Sequence, residues 1–184
     1  MQIRRAEMKD LQAIETIVMD GRDRLAEQGV DQWQGGYPNT EIIVDDIEKR
    51  YVMVLEDDGE IVGSAAVIPG QDASYQTIDG QWLTETDTMN SVAVHRVAVS
   101  SSHHGKGLGY KLLDGIYEEV AKTMPDINSL RIDTHPDNKG MQHVILKSGY
   151  EQTGMVKLLN MGLDNEWDYA YERLVKVPSH VTGR

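Results

Sequence analysis

The stretch from Val92 to Leu113, Val-Ala-Val-His-Arg-Val-Ala-Val-Ser-Ser-Ser-His-His-Gly-Lys-Gly-Leu-Gly-Tyr-Lys-Leu-Leu, restricts the fold more than any other part of the chain. It reads as strand, glycine-rich turn and helix. Val92, Val94, Val97 and Val99 supply the β-branched residues of a strand. Leu108, Leu112, Leu113, Ile116, Tyr117 and Val120 then recur on one face of a helix. Between them lies Gly105-Lys106-Gly107-Leu108-Gly109, where glycine allows positive φ and close backbone approach. First-turn amides of the helix can therefore converge on an anion that the helix dipole also favours, and the expected ligand carries phosphate.

The chain has 184 residues and no break in composition, which is most simply one domain, expected over residues 1–177, with a disordered tail over 178–184. Cysteine is absent, so disulfides, thiolate catalysis and Cys-ligated zinc or iron-sulfur sites are excluded. The start, Met-Gln-Ile-Arg-Arg-Ala-Glu, leads into an amphipathic pattern, and no stretch is apolar for long enough to span a bilayer, so a cytoplasmic protein without a membrane partner is expected. Asp and Glu number 30 against 18 Lys and Arg, a formal charge of -12 that offers nucleic acid no basic face. Plain solubility accounts for that charge, and a cationic small acceptor is the sharper alternative.

In chain order, Gln2 to Arg5 reads as a short strand, and Met8, Leu11, Ile14, Ile17, Val18 and Leu25 mark a long amphipathic helix ending near Gly29. Asp31 to Pro38 is an aromatic loop in which Trp33 and Tyr37 seek burial, as pocket lining or as a plug. Thr40 is placed to cap a helix reaching Lys49. Tyr51 to Leu55 and Ile61 to Ile68 form an antiparallel hairpin across Glu56 to Glu60. The polar run Gly70 to Asn90 is long for a connection, and its Asp79-Gly80 pair suggests a small extra hairpin over Thr77 to Leu83. Leu130 to Thr134 is a strand; Asn138 caps a helix with Met141, Val144 and Ile145 inside, stopping at Gly149. Tyr150 to Leu159 and Trp167 to Val175 are the last strands, joined near Gly162 to Asn165.

The glycine turn is not a P-loop, because the position five residues before Gly105 is Ser100 and Lys106 is followed by Gly107. A dinucleotide fingerprint fails on the position of its third glycine, although Asp133 could pass as its acidic partner. A turn that merely packs a helix on a strand remains the plain structural alternative. The pattern Arg96-Val97-Ala98-Val99 followed by His104-Gly105-Lys106-Gly107-Leu108-Gly109 resembles the acyl-CoA-binding motif of the GNAT superfamily of N-acyltransferases. Asp133-Thr134-His135-Pro136-Asp137-Asn138, Met141 and Leu146-Lys147-Ser148-Gly149-Tyr150 resemble that superfamily's later strand-Asn-helix-Gly-aromatic segment. The Gln32-Trp33-Gln34 to Tyr37-Pro38 loop is similar to one of its bacterial subgroups.

The resemblance implies an α/β fold with a mixed, mostly antiparallel central sheet flanked by helices, and an acetyl-CoA-dependent N-acetyltransferase acting by direct transfer to a primary amine of a small molecule or peptide. It implies no metal, and a homodimer is compatible with it. The amides of Gly105 to Gly109 would hold the pyrophosphate of CoA with Lys106 adding charge, Leu108 opening the helix and His104 standing where Arg or Gln is usual. A bulge at Val97, Ala98 and Val99 would open the strand to the pantetheine arm and aim an amide at the thioester oxygen. Asn138 would touch the CoA arm.

Alkyl amines titrate near ~10.4, so a base must take a proton near neutral pH. By the same resemblance His95 is the candidate, with Glu85 and Asp87 as second choices and His135 able to face the cleft. The helix position that usually carries a thiolate-protonating Tyr holds Ile145 here, leaving Tyr150, Tyr169, Tyr171 or water to supply that proton. Strand alternation puts Tyr169 and Tyr171 on one face, so both approach the site or neither does. Ile145 and His104 also motivate a non-catalytic acyl-CoA-binding or regulatory module as the rival function.

Overall fold

Short β-branched runs punctuated by glycine, alternating with helical patterns, build one sheet with helices on both faces. The computed structural model describes residues 1–103, 105–159 and 166–176. His104, the joint near Gly162 to Asn165 and the tail from Pro178 lie outside the described residues. The elements are β1 (Gln2–Arg5), α1 (Leu11–Glu27), α2 (Thr40–Glu48), β2 (Val52–Asp57), β3 (Glu60–Pro69), β4 (Ile78–Gly80), β5 (Ser91–Val99), α3 (Leu108–Thr123), β6 (Ser129–Thr134), α4 (Lys139–Lys147), β7 (Glu151–Lys157) and β8 (Trp167–Leu174). The sheet runs β1-β2-β3-β5-β6-β8-β7-β4. Only β5 and β6 pair in parallel; the other pairs in this order are antiparallel, so the mixed, mostly antiparallel sheet expected from the sequence is present.

Strand alternation sorts the core into two sides. Met53, Leu55, Val92 and Val94 meet Leu112, Leu113, Ile116 and Val120 of α3, together with Ile145 of α4. Each such side chain contributes on the order of 1.5–3 kcal/mol when fully buried. Val52, Val54 and Ala98 face Ile14, Ile17 and Val18 of α1 and Ile43 and Ile47 of α2 on the opposite side. A third cluster beside it joins Tyr75, Trp82, Ala93, Val156 and Ala170.

Two local expectations are corrected. Asn39, not Thr40, caps α2, its side chain accepting from the Ile42 amide, because Thr40 is already the first residue of the helix and the cap position falls one residue earlier. The Asp79-Gly80 pair makes no hairpin of its own: Ile78 to Gly80 pairs with Val156 to Gly154 of β7. Gly80 and Gly154 lie so close that a Cβ on either would overlap backbone of the other strand. Trp82 drives this alternative by burying its ring, with Nε1 donating to Tyr75 O at 3.0 Å and the Arg131 guanidinium 4.4 Å from the ring centre.

Asp10 ties β1 to the start of α1. It accepts from Arg4 Nη1 and Nη2 at 2.8 and 2.9 Å and from the Glu7 amide at 2.8 Å. The hydrogen bonds from Arg4 outweigh burial and hold its carboxyl below the ordinary value. A depressed folded-state pKa contributes stability above the unfolded value, near ~3.9, that is lost as pH falls through the folded value. Asp10→Asn is therefore expected to cost about 1–3 kcal/mol at neutral pH. In urea titrations the gap between the variant and the parent closes below about pH 4; a gap independent of pH would contradict this role.

Candidate active site

A bulge in β5 creates the site. Ala66 pairs with His95 and Ser64 with Ala98, so Ala65 alone faces both Arg96 and Val97. The bulge thus begins one residue earlier than the Val97 to Val99 expected from the sequence, and Arg96 takes a left-handed φ of 54°. For a residue with a Cβ this costs on the order of 1–2 kcal/mol. The bulge reverses the alternation of the strand. Val94 and Val97 both pack toward α3, whereas His95 and Arg96, neighbours in sequence, both emerge on the opposite face. Beyond Val94↔Ile132 the strands β5 and β6 no longer pair, and the sheet splays open.

Arg96 is held by the elements above it. Its Nε and Nη2 donate to both carboxylate oxygens of Asp46 on α2 at 2.7 and 2.8 Å, and Nη1 donates to the Tyr37 hydroxyl at 2.8 Å. Burial pushes the Tyr37 hydroxyl up. Although burial works against the charged guanidinium, Tyr37 and Asp46 hold Arg96 above its ordinary value. The aromatic loop is thereby clamped over the cleft. Gln32 of the same loop accepts from Asn138 Nδ2 at 2.9 Å.

Beneath the loop lies a cavity of about 380 Å³ whose walls include Trp33, Tyr37, Asp72, His95, Val97, Asp133, Asn138, Met141, Glu166 and Asp168. His95 Nε2 and Asp72 Oδ2 are 2.6 Å apart, and His95 Nδ1 is 3.9 Å from Asp133 Oδ1. The Tyr75 ring lies 5.6 Å from the imidazole, and its hydroxyl donates to Asp133 Oδ1 at 2.5 Å. Burial opposes ionisation of Asp72, but the hydrogen bond and charge of His95, with the Ser74 amide, hold it below the ordinary carboxylate value. Asp168 behaves oppositely. Burial, then the charge and hydrogen bond of Asp133, push it up to about 10. Burial also raises Glu166.

The glycine turn sits at the far end of β5. Gly105 and Gly107 have φ of 79° and 64°, and Gly107 precedes α3 without a side-chain cap, leaving the first turn open to an external acceptor. Gly109 serves packing instead, since a Cβ there would meet Val144 Cγ1 of α4 at 3.1 Å. Lys106 is exposed and Leu108 buried.

Of the residues singled out from the sequence, the fold brings His95, Val97 and Asn138 to the cavity. Ala98 is buried under α1, and Val99 gives its carbonyl to Arg24 Nη2 at 3.3 Å. Asn138 caps α4 through the Met141 amide while its other end reaches Gln32. His135 accepts from the Asp137 amide and lies 3.8 Å from Glu166. Tyr169 and Tyr171 do share a face, but it is the α3 side, with Tyr171 fully buried and Tyr169 packed against the same core. Neither is a wall of the cavity, because β8 turns Asp168 toward it. Tyr150 and Ile145 are likewise core residues. Glu85 and Asp87 are exposed, their carbonyls taken by Arg131 and Gln71.

The sequence reading missed the site roles of Asp72, Tyr75, Arg96, Glu166 and Asp168. An Asp inside a predicted strand, as at Asp133 and Asp168, is disfavoured there and was the available signal.

A family model described as the acetyltransferase (GNAT) family matches residues 12–150. A GNAT-family acetyltransferase from Streptococcus agalactiae superposes with a TM-score of 0.83 at 34% identity, covering 95% of each chain. The uncharacterised N-acetyltransferase YesJ of Bacillus subtilis is 27% identical over 148 residues, 79% of both chains. The yncA structure from Salmonella typhimurium, a putative acetyltransferase solved with acetyl-CoA, has a TM-score of 0.64 at 20% identity and covers 98% of this chain and 95% of its own.

Asp46→Asn leaves the Arg96 charge half-paired in a buried bulge. Denaturation by guanidinium is expected to show a loss of about 3 kcal/mol. A loss under about 0.5 kcal/mol, the range of neutral surface changes, would show that the clamp does not hold the bulge.

Proposed function

The chain belongs to the GNAT family of acetyltransferases, and we propose that it moves the acetyl group of acetyl-CoA directly to a primary amine, with His95 as general base. The observation that carries this reading is the His95–Asp72 pair, 2.6 Å apart, at the mouth of the splayed strands. The turn suits a pyrophosphate: two left-handed glycines and an uncapped helix start present amides to an anion. Bound there, acetyl-CoA would supply an activated thioester.

Asp72, held ionised, can only accept a hydrogen bond, so Nε2 of neutral His95 carries the hydrogen and Nδ1 keeps the lone pair. Nδ1 takes a proton from the acceptor, leaving a neutral amine to attack the thioester carbon. The new C–N bond forms and the C–S bond breaks, the second proton of the attacking nitrogen passes through water to the departing sulfur, and the amide and the CoA thiol leave. A β5 amide beyond the bulge, freed from β6, supports the oxyanion as it develops. Gln32, Asn138 and the Trp33–Tyr37 loop close the cleft over the reacting atoms.

Free thiol is followed while purified protein turns over acetyl-CoA with an amine panel. Release of thiol dependent on an amine supports transfer; CoA binding without thiol release for every amine would favour a silent binding module. His95→Gln should lower kcat/KM by about 10²-fold or more and remove the ascending limb of its pH profile. An unchanged profile would take the base role away from His95. Gly107→Val, a β-branched residue forced to positive φ, should weaken CoA binding by at least about tenfold while far-ultraviolet dichroism is unchanged. Unaltered affinity would remove the turn from the site.

A further inference from the structure

The long connection between β3 and β5 brings two side chains to the imidazole of His95, and acetyl transfer as described uses only one of them, Asp72. The other is Tyr75. It is 1% exposed and is not a wall of the cavity, so it meets neither the acceptor nor the thioester. Its position is nevertheless fixed from several sides. Its amide donates to Asp72 O at 3.0 Å, its carbonyl accepts from Trp82 Nε1 at 3.0 Å, and the Trp82 ring centre lies 5.2 Å away. The Tyr75 ring centre is 5.6 Å from that of His95, and its hydroxyl donates to Asp133 Oδ1 at 2.5 Å.

That same Asp133 oxygen faces the second ring nitrogen of His95, 3.9 Å from Nδ1. Asp72 Oδ2 holds the first, 2.6 Å from Nε2. An imidazole between two carboxylates is drawn to its doubly protonated form, because each negative charge favours the cation. Such a ring has no lone pair for the acceptor's proton. Tyr75 opposes this outcome by hydrogen-bonding the oxygen that Nδ1 would otherwise approach, and the Asp168 carboxyl hydrogen-bonds Asp133 as well. Burial raises the Tyr75 hydroxyl well above its ordinary value, so it keeps the hydrogen that it donates. The other charged and titratable groups around the ring are engaged elsewhere. Arg96, on the same strand, is bound to Asp46 and Tyr37, and Glu166, just before β8, lies 3.8 Å from His135 Nε2.

We propose that Tyr75 is a positioning residue for proton transfer: its hydroxyl occupies Asp133 Oδ1 and so keeps His95 neutral, with hydrogen on Nε2 and a free lone pair on Nδ1. The proposal rests on the acetyl-transfer reading and adds to it the device that keeps the base unprotonated. It also gives the connection between β3 and β5 a function. Asp72 fixes which nitrogen carries the hydrogen, and Tyr75 keeps the second carboxylate from the other. Removing the hydroxyl frees Asp133 Oδ1 to pair with Nδ1. A negative charge that gains access to the ring raises its affinity for a proton, so the base is then lost below a higher pH.

The test is Tyr75→Phe, which removes only the hydroxyl. It is read by kcat/KM against pH with a single amine, and by the nitrogen-15 resonances of histidine-labelled protein, in which His95 is assigned from its absence in His95→Gln. In the parent, Nδ1 of His95 is expected to be bare and Nε2 protonated above the ascending limb. Tyr75→Phe should move both the ring titration and the limb to higher pH by about one unit, a roughly tenfold loss of kcat/KM below the limb that disappears above it. With Asp133→Asn already in place, adding Tyr75→Phe should move neither. A rate lowered equally at every pH, as a merely structural role would give, overturns the proposal. Should Tyr75→Phe not fold, the parent spectrum reads the tautomer without any substitution: hydrogen on Nε2 supports the proposal, and hydrogen on Nδ1 of the neutral ring overturns it. Thiol release whose limb is indifferent to Tyr75→Phe sinks the proposal and leaves acetyl transfer standing. A ring titration that shifts as expected, in a protein that releases no thiol with any amine, does the reverse.

Discussion

The left-handed backbone at Arg96 is the constraint from which the site follows. A residue with a Cβ is strained at positive φ, and here the strain is offset by a fork of hydrogen bonds to Asp46 and a third bond to Tyr37. One extra residue in β5 then does two things together. It ends the parallel pairing with β6, opening a cleft, and it reverses the alternation so that His95 and Arg96 share a face. Arg96 uses that placement to hold α2 and the aromatic loop, and His95 uses it to enter the cavity. Chemistry and architecture are thus coupled through two adjacent side chains.

Irregular segments complete what the bulge begins. The connection between β3 and β5 brings Asp72 to one nitrogen of His95 and Tyr75 beneath its ring, and Trp82 anchors that connection against Arg131 and Tyr75. The loop before α2 closes the other side through Gln32 and Tyr37. The net acidity of the chain has a local counterpart here, for carboxylates outnumber free cations on the cavity wall. Their protonation states diverge by environment. His95 holds Asp72 below the ordinary carboxylate value, whereas burial and the neighbouring Asp133 push Asp168 up.

Local patterns made most of the architecture legible. Valine alternation, the helical stripe from Leu108 to Val120, the turn glycines and Asn138 before α4 all state their geometry within a few residues, and each is found where those patterns put it. Gly105 and Gly107 were readable for the same reason. His95, two residues before Val97, stands out through the family resemblance. What stayed hidden depends on partners distant in sequence: Asp72 meets His95 across 23 residues, and Asp46 meets Arg96 across 50. The Asp79-Gly80 pair misled because a turn signal is local, whereas the pairing of β4 with β7 is decided by close glycine contact and by burial of Trp82. Tyr169 and Tyr171 show the force of a one-residue offset. Their shared face was correctly inferred, but the face that reaches the cavity belongs to Asp168.

The central claim is that the Arg96 bulge opens β5 from β6 to admit a thioester beside His95. A crystal structure with acetyl-CoA tests it most directly. The account predicts the pyrophosphate on the amides after Gly105, the pantetheine arm between Val97 and Asn138, and the acetyl carbon on the His95 side of the splay. Acetyl-CoA bound away from that cleft, or β5 and β6 paired beyond Val94 and Ile132 with the bulge absent, would contradict it.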